Sequence, residues 1–310
     1  MRDYQLLIAN QRNQLMDKVV VTGGSGFLGS HIADTLTARG YAVTIFDRRP
    51  SPYLQPGQEM VVGSILDMEA VEAAFSGSRY IYHLAAFAGL DSEPLDTAHL
   101  NVVGTVNCLE AARKAAVDRF MFASTVYVYS RAGGFYRCSK QACEAYIEEY
   151  QRQYGLAYTI LRYGSLYGPH SDESNGVYRL LLQAIKGHVR HNGTPDDRRE
   201  YIHVQDAARL SVQALEEKFA NQNLVLTGNH AMRLEELFTM FSEILGHSVD
   251  VEYQGSLEEH DDSHYRVTPY TFSPRVGRKL TETYYVDMGQ GLLQMLDQLY
   301  QEGHFNGETR

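Results

Sequence analysis

Val19-Val20-Val21-Thr22-Gly23-Gly24-Ser25-Gly26-Phe27-Leu28-Gly29-Ser30-His31 decides the fold of this chain. Four β-branched residues in a row predict a buried strand, and the run passes straight from it into a helix. Gly23, Gly26 and Gly29 between them allow a tight turn, close approach of backbone to a pyrophosphate, and close packing of helix on strand. The helix start presents unpaired N–H groups to an anion. A glycine pattern alone is weak, because glycine also simply makes turns. Here the strand precedes it, the helix follows it, and an acid, Asp47, stands eighteen residues beyond Gly29 at the end of the next strand-like run. A carboxylate there accepts hydrogen bonds from an adenosine ribose diol and repels a 2′-phosphate, so NAD is favoured over NADP. Arg48 and Arg49, directly after it, leave a phosphate-bearing cofactor open.

Outward from this turn, short β-branched runs alternate with longer helical patterns. Strands are expected at 18–22, 42–47, 60–62, 80–84, 119–124 and 157–162, with helices at 31–39, 68–75, 97–115 and 139–154. That alternation predicts an α/β fold, a doubly wound parallel sheet. After Pro169 the rhythm loosens into helical stretches at 177–186, 204–217 and 234–245 separated by polar loops. The expected organisation is an extension at 1–17, a dinucleotide-binding domain at 18–169, and a smaller, mainly substrate-binding domain at 170–310 that returns a strand or helix to the first.

A formal charge of −10, from 38 acids and 28 bases, argues against a nucleic-acid surface. The apolar share of 44% is that of an ordinary globular core. Neither a secretory segment nor a membrane span is visible in the first seventeen residues, so a cytoplasmic protein without membrane attachment is expected. Cys108, Cys138 and Cys143 show no paired metal spacing and read as reduced thiols. His260 and His264 flank Asp261 and Asp262, but no third ligand is placed by the sequence and no metal is expected.

Tyr136-Arg137-Cys138-Ser139-Lys140 puts Tyr and Lys four apart, on one face of a helix. To act as a base near neutrality a phenol must become about a thousandfold more acidic, roughly 4 kcal/mol. One cation about 4 Å away supplies about that much at an effective dielectric near 20. Tyr-x-x-x-Lys is common by itself, usually as an exposed amphipathic pair. Met121-Phe122-Ala123-Ser124-Thr125 raises its weight, since this buried run ends in hydroxyls at the sheet edge where doubly wound folds bind ligands. Thr125 is placed to hydrogen-bond the substrate oxygen that Tyr136 deprotonates. His83 and His203 read as packed histidines.

The chain from Lys18 onward resembles the extended short-chain dehydrogenase/reductase family, the NAD-dependent nucleotide-sugar epimerases and dehydratases. Its landmarks stand in order: the glycine turn, Asp47, His83-Leu84-Ala85-Ala86, Asn101-Val102-Val103-Gly104-Thr105, Ser124-Thr125, Tyr136 with Lys140, Leu161-Arg162-Tyr163-Gly164-Ser165-Leu166-Tyr167-Gly168-Pro169, and Arg199-Glu200-Tyr201-Ile202-His203-Val204-Gln205-Asp206. The resemblance implies a bound NAD that takes a hydride from a sugar carbon while Tyr136 removes the hydroxyl proton. It implies Thr125, Tyr136 and Lys140 as the catalytic set, with Lys140 also on the nicotinamide ribose. Phe27 and Leu28 would touch pyrophosphate, and Ser64 and Ile65 adenine. Leu84, Ala85, Ala86, Asn101, Arg48 and Tyr163 complete the cofactor set. Ser124, Thr125, Ser165, Asn175 and Arg199 would hold the nucleotide-diphosphate sugar, Arg199 being suited to phosphate.

This chain departs from the family pattern in several places. Dehydratases of the family carry an acidic pair after the catalytic Thr, where this chain has Val126 and Tyr127. Decarboxylating members need a Glu where Tyr127 stands. Both are therefore disfavoured against epimerisation, most simply at C4. A nucleotide-sugar ketoreductase on the same residues, or a non-catalytic dinucleotide sensor, are the alternatives; the sensors of this fold usually lack the Tyr or Lys. Ser64, Gly164 and Ser165 replace the usual Asp, aromatic and Asn, leaving the sugar and nucleotide open. Only eleven positions separate Thr125 from Tyr136, which predicts a more open site on that side. The helices at 97–115 and 139–154 predict a homodimer through a four-helix bundle, as the resemblance implies.

Overall fold

The structure is a computed structural model, and it describes residues 16–89, 93–130, 132–254, 277–282 and 284–303. Strand β1 (Lys18–Thr22) leads into helix α1 (Phe27–Ala38), followed by β2 (Ala42–Asp47), β3 (Gln58–Val62), α2 (Met68–Phe75) and β4 (Tyr80–His83). A single turn, Pro94–Thr97, and a π-helical segment, Ala98–Val103, precede α3 (Gly104–Lys114). Then come β5 (Arg119–Thr125), α4 (Gly134–Tyr154), β6 (Tyr158–Tyr163), β7 (Ser165–Tyr167), α5 (Gly176–Ile185), β8 (His188–His191) and β9 (Arg198–His203). The chain continues through α6 (Val204–Gln213), β10 (Gln222–Leu226), β11 (Ala231–Arg233), α7 (Leu234–Leu245), β12 (Asp250–Tyr253), β13 (Arg278–Lys279) and α8 (Met288–Gln301).

Eight strands form one sheet in the order β13-β10-β6-β5-β4-β1-β2-β3, and every pairing in it is parallel. Its alternation is visible within β1. Val19 and Val21 pack into one core with Ile32 and Leu36 of α1 and Leu210 of α6, while Val20 faces the opposite core with Val71, Leu109 and Ile147. Both faces of the sheet are thus covered, which is why its strands read as continuous apolar runs. Strand order reverses between β1 and β4, opening the crevice where such sheets hold ligands.

Residues after 170 contribute α6, β10 and β13 to this sheet and also build a second core. There Val177 and Leu181 of α5 meet Leu237 and Phe241 of α7 and Leu292 and Met295 of α8. Small sheets β11-β9-β7 and β12-β8 flank it.

Several helices differ from expectation, and that expected at 31–39 already begins at Phe27. The stretch expected as one helix over 97–115 is broken by the π segment, which turns Asn101 inward to bond Phe87 and Ser139. Helix α4 begins five residues before Ser139, at Gly134, because Gly133 supplies a left-handed N-cap with φ 92°. Glu217 belongs to a separate 3-10 turn after α6. Residues 1–15 of the expected extension, and His260, Asp261, Asp262 and His264, lie outside the described residues. No described helix is long and apolar enough to cross a membrane, and among the described residues no three His, Cys, Asp or Glu converge as a metal site.

Candidate active site

A cleft of about 480 Å³ opens at the carboxyl ends of β1 to β6, over the reversal of strand order. One end is backbone. Gly23 has φ +73°, and a Cβ there would stand 2.6 Å from the amide nitrogen of Ala85; a Cβ on Gly29 would stand 2.2 Å from the carbonyl oxygen of Gly23. The turns after β1 and β4 therefore abut, and only glycine fits. Gly26 caps α1 without any side-chain acceptor, so the first turn of the helix, Phe27 and Leu28 included, keeps its N–H groups toward the cleft. Asp47, on the wall, accepts from the backbone N–H of Ser25 at 3.1 Å and of Arg49 at 3.2 Å. Each carboxylate oxygen keeps a lone pair for a hydroxyl. Arg48, Ser64, Ile65, Leu84, Ala85 and Ala86 line the same end. A glycine-only cradle, a bare helix start and a fixed acid together fit the pyrophosphate and ribose of NAD.

At the other end Ser124 and Thr125 close β5, and Tyr136 and Lys140 come from the first two turns of α4; all four line the cleft. Thr125 Oγ1 accepts from the amide of Tyr127 at 3.2 Å, which leaves its hydroxyl proton to donate into the cleft. Ser124 Oγ donates to Glu144 Oε1 at 2.5 Å, so toward the cleft it can only accept. Lys140 Nζ donates to the Ala123 carbonyl at 2.7 Å and lies 4.6 Å from the ring centroid of Phe122 and 5.7 Å from that of Tyr136. Tyr163 reaches the cleft from β6 while its hydroxyl pairs with Ser211 Oγ at 2.6 Å.

The electrostatics correct one expectation. Lys140 was expected to pull the Tyr136 phenol down; in the structure burial pushes that phenol well above its ordinary value, aided by Tyr127 and Cys143. Lys140 is itself desolvated, and burial lowers it to about 8 against the upward pull of Cys143 and Glu144. Lys140 therefore carries its charge near neutrality and loses it above about pH 8, and the phenol alone is a weak acid.

Four sequence-derived residues stand off the cleft walls. Asn101 lies beneath the wall, its Oδ1 accepting from the Phe87 amide at 2.6 Å and its Nδ2 donating to Ser139 Oγ at 2.9 Å. Asn175 caps α5, accepting from the Tyr178 amide at 3.1 Å and donating to the Leu166 carbonyl at 2.8 Å. Ser165 starts β7, and its neighbours Gly164 and Leu166 line the cleft in its place. Arg199 sits on β9 across from Met232, near enough to His191 to help burial lower that imidazole. His83 is fully paired, to Thr22 at 2.7 Å and Thr105 at 3.0 Å, and burial lowers it to about 3, so it is a neutral packed ring. Phe87, Leu100 and Ser174 line the cleft and were not singled out in the sequence, and Tyr127, noted there only as a departure, lines it too. Phe87 and Leu100 directly adjoin the His83–Ala86 and Asn101–Thr105 landmarks, which was the available signal.

A model of the NAD dependent epimerase/dehydratase family matches residues 19–226. A putative UDP-glucose 4-epimerase of Methanocaldococcus jannaschii is 30% identical over 253 residues, covering 74% of this chain and 82% of that protein. The UDP-glucose 4-epimerase of Corynebacterium glutamicum is 27% identical over 271 residues, with 76% and 82% covered. Among solved structures, the UDP-glucose 4-epimerase of Thermotoga maritima with UDP-glucose superposes with a TM-score of 0.78 at 27% identity, covering 92% of this chain and 99% of that one. The Thermus thermophilus UDP-glucose 4-epimerase in complex with NAD gives 0.74 at 27% identity, with 91% and 99% covered.

Proposed function

The chain belongs to the NAD dependent epimerase/dehydratase family, and on that premise we propose that it inverts C4 of a UDP-linked sugar through a transient 4-keto sugar. NAD, held by the cradle of Gly23, Gly26, Gly29 and Asp47, would supply a reversible hydride acceptor, so the reaction would have no net redox change. Tyr136 Oη takes the proton of the C4 hydroxyl as the C–H bond breaks, and returns it when the hydride arrives on the other face. Thr125 donates to the same oxygen, and Ser124 accepts from a neighbouring sugar hydroxyl. Lys140, charged below about pH 8, stabilises the phenolate that forms.

One observation carries the choice within the family: Asp47, at the adenosine end, is the only acid lining the cleft among the described residues. Expelling water from the sugar needs a placed acid or base beyond Tyr136, and the positions after Thr125 hold Val126 and Tyr127. Epimerisation needs none. The test is incubation with UDP-glucose, UDP-galactose and their N-acetyl and uronate analogues, followed by NMR of the anomeric protons. The 4-epimer is expected without accumulation of reduced cofactor. No epimer from any UDP-sugar, or stoichiometric reduced cofactor, would overturn the reading.

The functional unit we propose is a homodimer joined through α3 and α4. Val103, just before α3, and Tyr146 and Tyr154 of α4 are exposed, and a second copy would cover them. Sedimentation at micromolar concentration is expected to give a dimer, and a monomer would refute it. The lobe of α5, α7 and α8 is assigned to the sugar nucleotide, since Ser174, just before α5, already lines the cleft.

A further inference from the structure

The largest fully buried side chain among the described residues is a cation, Arg162, beneath the candidate site. Its guanidinium makes a two-pronged pair with Glu144: Nη2 donates to Oε2 at 2.6 Å and Nε to Oε1 at 3.0 Å. Side-chain exposure is 0% for Arg162 and 4% for Glu144. Arg162 Nη1 donates to Tyr129 Oη at 2.5 Å, and Tyr129 Oη also accepts the Gly277 amide at 2.9 Å. The fourth member is Ser124, whose hydroxyl donates to Glu144 Oε1.

Stability is a poor reason for this arrangement. Replacing a buried ion pair by packed apolar groups is often neutral or favourable, because two desolvated charges repay little. What the cluster does is geometric. Ser124 precedes Thr125 directly, and Tyr129 ends the 3-10 turn Val126–Tyr129 that Thr125 caps. Both ends of the segment carrying Thr125 are thus tied to one node. That node stands on α4 one turn beyond Lys140 and two beyond Tyr136, on the same face.

We propose that Glu144, through its pair with Arg162, is a positioning residue that locks Ser124 and Thr125 in register with Tyr136 and Lys140 and balances charge beneath Lys140. The proposal rests on the epimerase reading of the site. Lys140 is faced by Tyr136, Cys143 and Glu144 from α4, by neutral His83 from β4, and by Arg162 of β6 through Glu144. Tyr127, in the turn after β5, faces Tyr136. Removing the Glu144 charge would leave Arg162 bare and push Lys140 further down, so that it loses its proton at lower pH.

The experiment compares Glu144→Gln with the double variant Glu144→Gln/Arg162→Met. Steady-state kinetics across pH are read beside titration of Lys140 in substrate-free protein by NMR of 13C-labelled lysine, Lys140→Met identifying the resonance. In Glu144→Gln, kcat is expected to fall about thirtyfold with KM within about threefold, the mark of misplaced groups. The Lys140 midpoint and the alkaline limb of the rate profile should both move down by about one pH unit. The double variant, with no bare charge, should regain the wild-type midpoint while kcat stays low.

Wild-type kcat and midpoint in Glu144→Gln would overturn the proposal, as would a rise in KM with the midpoint unmoved. Should the single variant not fold, the double variant decides: reduced kcat with a normal midpoint supports the role, and wild-type kcat ends it. Absence of UDP-sugar turnover in the wild-type protein would instead sink the epimerase reading, and the NMR titration would still judge the charge balance.

Discussion

Tyr136→Phe is expected to lower kcat by about a thousandfold or more, the scale of a lost general acid–base group, while NAD remains bound. Phenylalanine keeps the ring that lines the cleft and loses only Oη, so packing is conserved. Thr125 donates, Ser124 is committed to Glu144, and Lys140 holds the Ala123 carbonyl. The cofactor cradle of Gly23, Gly29 and Asp47 lies at the far end of the cleft, so its affinity should change by no more than about threefold. Native mass spectrometry of the purified variant reads retention, and NMR of the UDP-sugar reads turnover. Turnover near wild type would remove Tyr136 from the mechanism. Because burial raises the phenol above its ordinary value, a small loss would also mean that the proton never passes through it.

The central strands of the main sheet were legible because they are buried on both faces, whereas β10 and β13 at one side were not among the expected strands. Runs such as Val19-Val20-Val21 and Phe120-Met121-Phe122 have no polar alternation to mislead. The lobe was less legible. Its strands His188–His191 and Arg198–His203 are short and polar, and they pair with Asp250–Tyr253 and Ala231–Arg233 rather than with neighbours in sequence. The break at Ala98–Val103 leaves no mark in helical periodicity, since it adds hydrogen-bond spacing without changing residue type.

In the site, Tyr136 and Lys140 could be read because both sit on one helix at a fixed spacing. Asn175 could not, since an asparagine before a helix serves equally well as a cap, and that is how it is used here. Glu144 and Arg162 each look anomalous on an apolar face. They become a pair only when the register of β5 with β6 places Ser124 opposite Arg162.

Lys140→Met is expected to reduce turnover by about a hundredfold or more and at the same time to raise thermal stability. The opposition follows from burial. Lys140 has a folded value of about 8 against an ordinary 10.5, so the fold disfavours its charge. Below about pH 8 both folded and unfolded chains carry that proton, and the full penalty is present, roughly 3 kcal/mol. Between about 8 and 10.5 the unfolded chain binds the proton and the folded one releases it, so this group's penalty fades as pH rises. Methionine fills nearly the same volume without a charge. It forfeits the bond to Ala123 and the contact over Phe122, which offsets part of the gain. A rise in Tm of about 3 °C at pH 7 remains for a chain of this size. Calorimetry at pH 7 and pH 10 checks the sign, because the penalty falls by about 2.5 kcal/mol between them and the net advantage of the variant should vanish at the higher pH. An advantage that does not change with pH, or a less stable variant at pH 7, would mean that the ammonium is held by partners strong enough to offset its desolvation. The site would then carry a full cation at alkaline pH, and the fall in turnover expected above about pH 8 would vanish with it.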